Sequence, residues 1–174
     1  MTTTPAQAPA FAQSVRILSG ALMGGLVFFG IALFFVLGTK DTPPVWLPVA
    51  QLAAGVGVHV LLESIGYRTR PLDPDLGDAD AEQAARAAWQ SSMMLRFALS
   101  EAIAIVSVVA AFVVEGGILA YAVGALVSLA LMAVHVWPWA RPVGKVADAL
   151  EAAGRRTDLR EAFGVPAPGP IQQY

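Results

Sequence analysis

Four long apolar runs, separated by polar stretches, dominate the sequence. They cover about residues 17–38, 45–65, 93–114 and 118–137. A helix rises about 1.5 Å per residue, so roughly 20 apolar residues cross the hydrocarbon core of a bilayer. The pattern therefore predicts an all-α polytopic membrane protein, a bundle of four transmembrane helices built from two hairpins.

The polar stretches predict the remaining organisation. Residues 1–14, rich in Thr, Pro and Ala, are predicted to be a disordered tail before a transmembrane domain at 15–141. Within the long loop at 66–92, an Ala-rich segment at 81–86 predicts a helix that continues into the third span.

The last segment, residues 142–174, has a different pattern. Its apolar residues recur at helical spacing and predict a short amphipathic helix before a Pro-rich tail; they are Val143, Val146, Ala147 and Leu150. The apolar face of this helix could lie on lipid headgroups, or it could dock on its own bundle or on a partner subunit.

Composition supports this class and excludes others. The chain of 174 residues is 56% hydrophobic and only 14% charged, which is too apolar for a soluble domain of this length. It has no cysteine, so disulfides and thiolate metal sites are excluded. A net charge of −2 argues against nucleic-acid binding. No phosphate loop or hydrolase motif occurs, so we do not expect an enzyme.

The basic residues predict the topology. Ten of the 11 Lys and Arg residues lie in the N-terminal segment, the long loop and the C-terminal segment or at the adjoining helix ends, and only Lys40 lies on the other side. Basic residues favour the cytoplasmic side of a membrane, so both termini are expected there. Abundant Arg and Ala suggest a bacterial cytoplasmic membrane.

Five ionisable residues lie within the predicted spans, all in the half nearer the cytoplasm: His59, Glu63, Arg96, Glu101 and His135. Hydrocarbon penalises charge, so these side chains are expected to meet one another. The simplest interpretation of Glu63, Arg96 and Glu101 is a structural polar cluster, with Arg96 paired to one of the two acids. A lone carboxylate in a span can also cycle a proton, so Glu101 is a candidate for ion or proton coupling.

The only two histidines lie at similar depth on the second and fourth spans, which run in the same direction. They are predicted either to form a hydrogen bond between helices or to hold a b-type haem through two axial imidazoles. No other cofactor or metal is expected. On the first span, Gly20 and Gly24 have the spacing of a close helix contact, inside the bundle or between subunits.

These features favour a non-catalytic accessory or scaffolding subunit of a larger membrane complex. Its expected partners are the lipid bilayer and other integral membrane subunits or further copies of itself. The first alternative is a haem-bearing electron-transfer subunit using His59 and His135. The second is an ion- or proton-coupled carrier using Glu101.

Overall fold

A computed structural model describes residues 7–39, 41–114 and 116–166. All regular structure in these ranges is helical: α1 (Gln7–Leu37), α2 (Trp46–Ile65), α3 (Asp78–Val113), α4 (Gly117–His135), α5 (Ala140–Glu151) and α6 (Leu159–Phe163). The first four helices are long and apolar enough to span a membrane. The predicted four spans are thus confirmed as helices of suitable length and composition.

Helix α1 begins earlier than the sequence suggested. It starts at Gln7, so residues 7–14 of the predicted disordered tail are helical, whereas residues 1–6 lie outside the described residues. Ala12 and Val15 are buried, and the ring of Phe11 packs edge-on against that of Phe163 at 5.7 Å. Burial of this apolar face stabilises the first turns despite their weak helical pattern.

Helix α3 is a single helix of 36 residues and is about 54 Å long. The Ser92 hydroxyl donates a hydrogen bond to the carbonyl of Gly66 (2.8 Å), just beyond the end of α2. Ser92 therefore lies level with that end, and residues 78–91 extend past it. The predicted continuation of the loop helix into the third span is confirmed.

Helices α5 and α6 pack on this extension and form what we call the capped end of the bundle. The predicted apolar stripe of α5 is completely buried. Trp89 and Met93 of α3 are also fully buried, and the Leu72 amide donates a hydrogen bond to the Leu150 carbonyl (2.9 Å). Of the alternatives left open for α5, the structure shows docking on its own bundle.

Buried polar contacts join α2, α3 and α4 inside the bundle. Gln51 donates hydrogen bonds to the hydroxyl of Ser107 (2.8 Å) and to the carbonyl of Ala120 (2.7 Å). The Ser128 hydroxyl donates to the Ser100 carbonyl (2.7 Å) and accepts from the Ala104 amide (3.0 Å). These bonds satisfy the Gln51 amide nitrogen and the Ser128 hydroxyl where lipid offers no partner, and they fix the relative depth of the three helices.

Candidate functional site: a polar cluster at the capped end

The two histidines are in direct contact where α2 and α4 approach the capped end. His59 Nδ1 lies 2.9 Å from His135 Nε2, and the other ring nitrogen of His135 lies 2.7 Å from the Tyr67 hydroxyl. His135 is completely buried, whereas His59 is partly exposed. The two hydrogen bonds make a continuous chain from Tyr67 through His135 to His59, and every member of it has a partner.

The Tyr67 hydroxyl sets the tautomers available to this chain. Burial raises the pKa of Tyr67 above its ordinary value, so the hydroxyl keeps its proton at neutral pH. If Tyr67 donates to His135, then His135 Nε2 carries a proton and donates to His59. If Tyr67 accepts, then His59 donates to His135. Both arrangements satisfy the buried imidazole without a charge on it.

Glu63 lies one helical turn after His59 and connects the cluster to α5. Its carboxylate accepts a hydrogen bond from Arg141 (2.7 Å) and another from Lys145, both on α5. It also lies 3.7 Å from His135 Nδ1. The carboxylate is therefore neutralised by two cations and ties the docked α5 to the end of α2.

Arg96 lies on the other side of Tyr67, not beside an acid. Its guanidinium is 4.6 Å from the centre of the Tyr67 ring and 5.0 Å from that of the Trp89 ring. The side chain is fully buried, and its three nitrogens have no hydrogen-bond partner within the described residues. Arg96 is thus stabilised by two aromatic faces, and the predicted ion pair with Glu63 or Glu101 is absent from these residues.

A haem does not fit between the histidines as they are placed. Bonds of about 2 Å to an iron between two imidazoles require the nitrogens to be about 4 Å apart. His59 Nδ1 and His135 Nε2 are 2.9 Å apart, and the ring centres are 4.9 Å apart. No porphyrin plane can pass between rings in direct contact. Haem binding would require α2 and α4 to separate.

A small metal ion meets a different obstacle. One ligand atom each from His59, Glu63 and His135 lies within 4.8 Å of the others, which is compatible in geometry with a divalent cation. However, Arg141 and Lys145 already bind the carboxylate, and Arg96 stacks on the adjoining Tyr67. Two cations on the carboxylate, with a third beyond Tyr67, disfavour a further positive charge. The arrangement is better suited to fixing helices than to holding a cation.

Glu101 does not join this cluster. It is half-buried in a groove between α1 and α3 and makes no side-chain hydrogen bond or ion pair with the residues that the structure describes. The predicted glycine pair is also only partly used. A Cβ added at Gly20 would lie 3.8 Å from the Trp137 ring, whereas one at Gly24 would meet nothing within 4 Å in the described part of the chain.

Sequence reasoning missed the residue at the centre of the cluster. The Tyr67 ring lies between Arg96 and Lys145, whose ammonium is 4.7 Å from the ring centre, while its hydroxyl binds His135. Tyr67 comes two residues after the end of α2, in a stretch that the sequence shows only as loop. An aromatic residue just beyond a span was the available signal, since such residues often lie at the membrane interface.

Compared with protein families, curated proteins and solved structures, the chain matches none of them.

Proposed function

We propose that this chain is a non-catalytic accessory or scaffolding subunit of a larger membrane complex, placed in a bacterial cytoplasmic membrane with both termini in the cytoplasm. Ten of 11 basic residues support that orientation. The polar cluster supports a structural role, because its hydrogen bonds and ion pairs join α2, α4 and α5. The subunit would act through the surface that its helices present within the membrane.

The observation that carries this proposal is the unused small-residue face of α1. In the apolar stretch of α1 only 11% of the residues are buried, whereas in that of α4 50% are buried. Helix α1 therefore lies at the edge of the bundle. Ala21, Gly24 and Gly25 are exposed, and a Cβ at either glycine would meet nothing within 4 Å in the described residues. Small residues on a spanning helix allow another helix to approach closely, which favours contact with a second subunit.

Cysteine cross-linking tests this contact, because the chain has no cysteine of its own. Ala21→Cys places one thiol on the small-residue face, and Ala53→Cys places another on an exposed position of α2. In native membranes, each thiol is coupled to a maleimide–benzophenone reagent and irradiated, so that the benzophenone inserts into a C–H bond of any neighbouring chain; we expect one discrete adduct for Ala21→Cys and none for Ala53→Cys. Equal adducts at both positions, or none at Ala21→Cys, would contradict the proposal.

The alternative functions have separate tests. A haem-bearing electron-transfer subunit would show a Soret band after purification in mild detergent, and the contact between His59 and His135 leads us to expect none. An ion- or proton-coupled carrier is favoured only by Glu101, which has no partner among the described residues. Glu101→Gln would then abolish ion movement in vesicles containing the purified protein, whereas an accessory subunit shows no such movement with either side chain.

A further inference from the structure

The groove that contains Glu101 opens on the outer surface of the bundle. Its volume is about 240 Å³. Helix α1 contributes one wall, helix α3 the other, and Tyr121 of α4 closes the bottom. Tyr121 is fixed there, because its hydroxyl donates a hydrogen bond to the Leu26 carbonyl (3.1 Å). Apart from the Glu101 carboxylate and this occupied hydroxyl, the lining side chains are apolar; they are Leu26, Phe29, Ala104, Ile105 and Val108, with Gly25 adding no side chain.

Glu101 lies deep within the span. Ser92, nine residues earlier on the same helix, is level with the end of α2, so Glu101 is about 13 Å further into the bundle. The bonds between Ser100 and Ser128 place Glu101 beside the middle of α4. In a hydrocarbon core of about 30 Å, lipid headgroups are distant from a carboxylate at this depth.

The Glu101 carboxylate has none of the cross-helix partners that Gln51, Ser128 and Glu63 possess. Gln51 and Ser128 are hydrogen-bonded across helices, and Glu63 has two cations. Glu101 has no hydrogen-bonding or ion-pairing partner among the described residues, and it is half-buried in the groove. An ionised group inside a bilayer is costly unless it is paired, so the bundle alone leaves an unsatisfied acceptor.

We propose that the groove is the docking site for a transmembrane helix of a partner subunit that carries one Lys or Arg at matching depth. This inference rests on the proposed accessory role and adds the chemistry of the contact. The groove is too small for a helix but has room for one long side chain, whose cation would reach Glu101. Gly25 adds no side chain at the rim, so the partner backbone can approach.

Charge complementarity selects this occupant. A basic side chain at mid-depth is itself costly in a membrane, and pairing it with Glu101 removes both unpaired charges at once. An acyl chain could cover the apolar walls but would leave the carboxylate without a donor. The carboxylate therefore gives the contact its specificity, and the small-residue face of α1 gives it close packing.

The test uses purified full-length protein in vesicles and a designed Leu-rich transmembrane peptide with a single central lysine. A peptide with leucine in place of the lysine is the control, and association is followed by energy transfer between fluorophores. We expect the lysine peptide to bind at least about tenfold more tightly than the control, and Glu101→Gln to remove this difference. Glu161→Gln, which alters an exposed acid on α6, should leave the difference unchanged.

A second variant keeps the proposal testable if the Glu101→Gln protein does not fold. Gly25→Leu keeps the carboxylate but places a side chain in open space at the groove, so it should also weaken binding of the lysine peptide. Equal binding of the two peptides to the unmodified protein would overturn the proposal. A lysine preference that persists in both Glu101→Gln and Gly25→Leu would overturn it too, because the cation would then bind elsewhere.

The cross-link at Ala21→Cys separates this inference from the proposed function. If the native adduct forms equally with and without Glu101→Gln, the accessory role stands and docking through Glu101 is wrong. If the adduct forms only while Glu101 is present, both are supported. If no adduct forms in either protein, the accessory role itself is contradicted.

Discussion

Arg96 shows how a single buried charge can be held without an acid. Its guanidinium lies between the faces of Tyr67 and Trp89, at 4.6 and 5.0 Å from the two ring centres. A planar, weakly hydrated guanidinium suits such a sandwich better than an ammonium group, which is compact and strongly hydrated. The identity of this residue should therefore matter beyond its charge.

Arg96→Lys keeps the charge but loses the planar stack. We expect it to lower the free energy of unfolding by about 2 kcal/mol, measured by SDS-induced unfolding in mixed micelles. Arg68→Lys, at an exposed loop position, is the matched control and should change little. Equal stability of the two variants would show that stacking on Tyr67 and Trp89 contributes nothing.

The sequence predicted part of this site. Charge in an apolar run indicated that His59, Glu63 and His135 need partners, and the structure brings these three together. It could not predict that Glu63 would pair with Arg141 and Lys145, which lie outside the spans, and not with Arg96. That outcome depends on how α5 folds back on the bundle, which no local pattern encodes.

The contact between α3 and α4 depends on a missing side chain. A Cβ at Gly124 would overlap the Ser107 hydroxyl oxygen and lie 2.5 Å from the Ser107 Cβ, which no rotation of the serine side chain can move away. Close approach here allows Gln51 to reach both Ser107 and the Ala120 carbonyl. Glycine at this position is therefore a packing requirement.

Gly124→Ala should push α3 and α4 apart and destabilise the bundle by about 1–3 kcal/mol. Gly57→Ala on α2 is the matched control, because a Cβ there meets nothing within 4 Å in the described chain. Thermal unfolding in detergent should show a lower midpoint for the first variant only. Similar midpoints would mean that the helices can shift at no cost.

Helix α5 is held by two kinds of contact. Its apolar stripe is buried on the bundle, and its Arg141 and Lys145 bind the carboxylate of Glu63. The apolar contacts stabilise docking through buried surface area but do not select one orientation of α5. The ion pairs with Glu63 fix that orientation at the end of α2. Loss of the carboxylate should therefore loosen α5 while the four spans remain folded.

Glu63→Gln tests this division between contacts. We expect faster amide hydrogen exchange in residues 140–151 and unchanged exchange in the middle of α2 and α4. Glu161→Gln, an exposed acid on α6, is the control and should leave α5 protected. Unchanged exchange in α5 of the Glu63 variant would show that the apolar stripe alone holds this helix.

At the scale of the whole molecule, the two ends of the bundle differ. The capped end carries the extension of α3 together with α5 and α6, whereas the opposite end has short turns. At those turns the Ile118 amide donates a hydrogen bond to the Gly38 carbonyl (3.0 Å). Gly117 has a positive φ of 57°, and a Cβ there would lie 3.1 Å from the Asp41 carbonyl oxygen.

The predicted orientation can be checked with single cysteines at exposed positions on the two ends. Thr42→Cys lies in a short turn and Asp75→Cys in the long loop. In intact cells, a membrane-impermeant maleimide should label Thr42→Cys and leave Asp75→Cys unlabelled until the membrane is opened. The reverse pattern would contradict the orientation inferred from the basic residues.

The sequence by itself determined the class of the protein. The length and apolarity of four runs determine four helices that are long and apolar enough to span a membrane, where every backbone polar group must be bonded within its own helix. The spacing of four apolar residues likewise fixed the buried face of α5. These properties depend on residues close together in the chain, so the order of apolar and polar residues is enough to predict them.

Only the tertiary structure decided which polar groups meet. Helix rotation and the folding back of α5 brought Tyr67 to His135 and the cations of α5 to Glu63, and they left Glu101 facing a groove at the edge of the bundle. Residues at equal depth in the bundle can face the same neighbouring helix or opposite sides of the bundle. The packing of whole helices sets that choice, and it involves contacts between residues far apart in the chain.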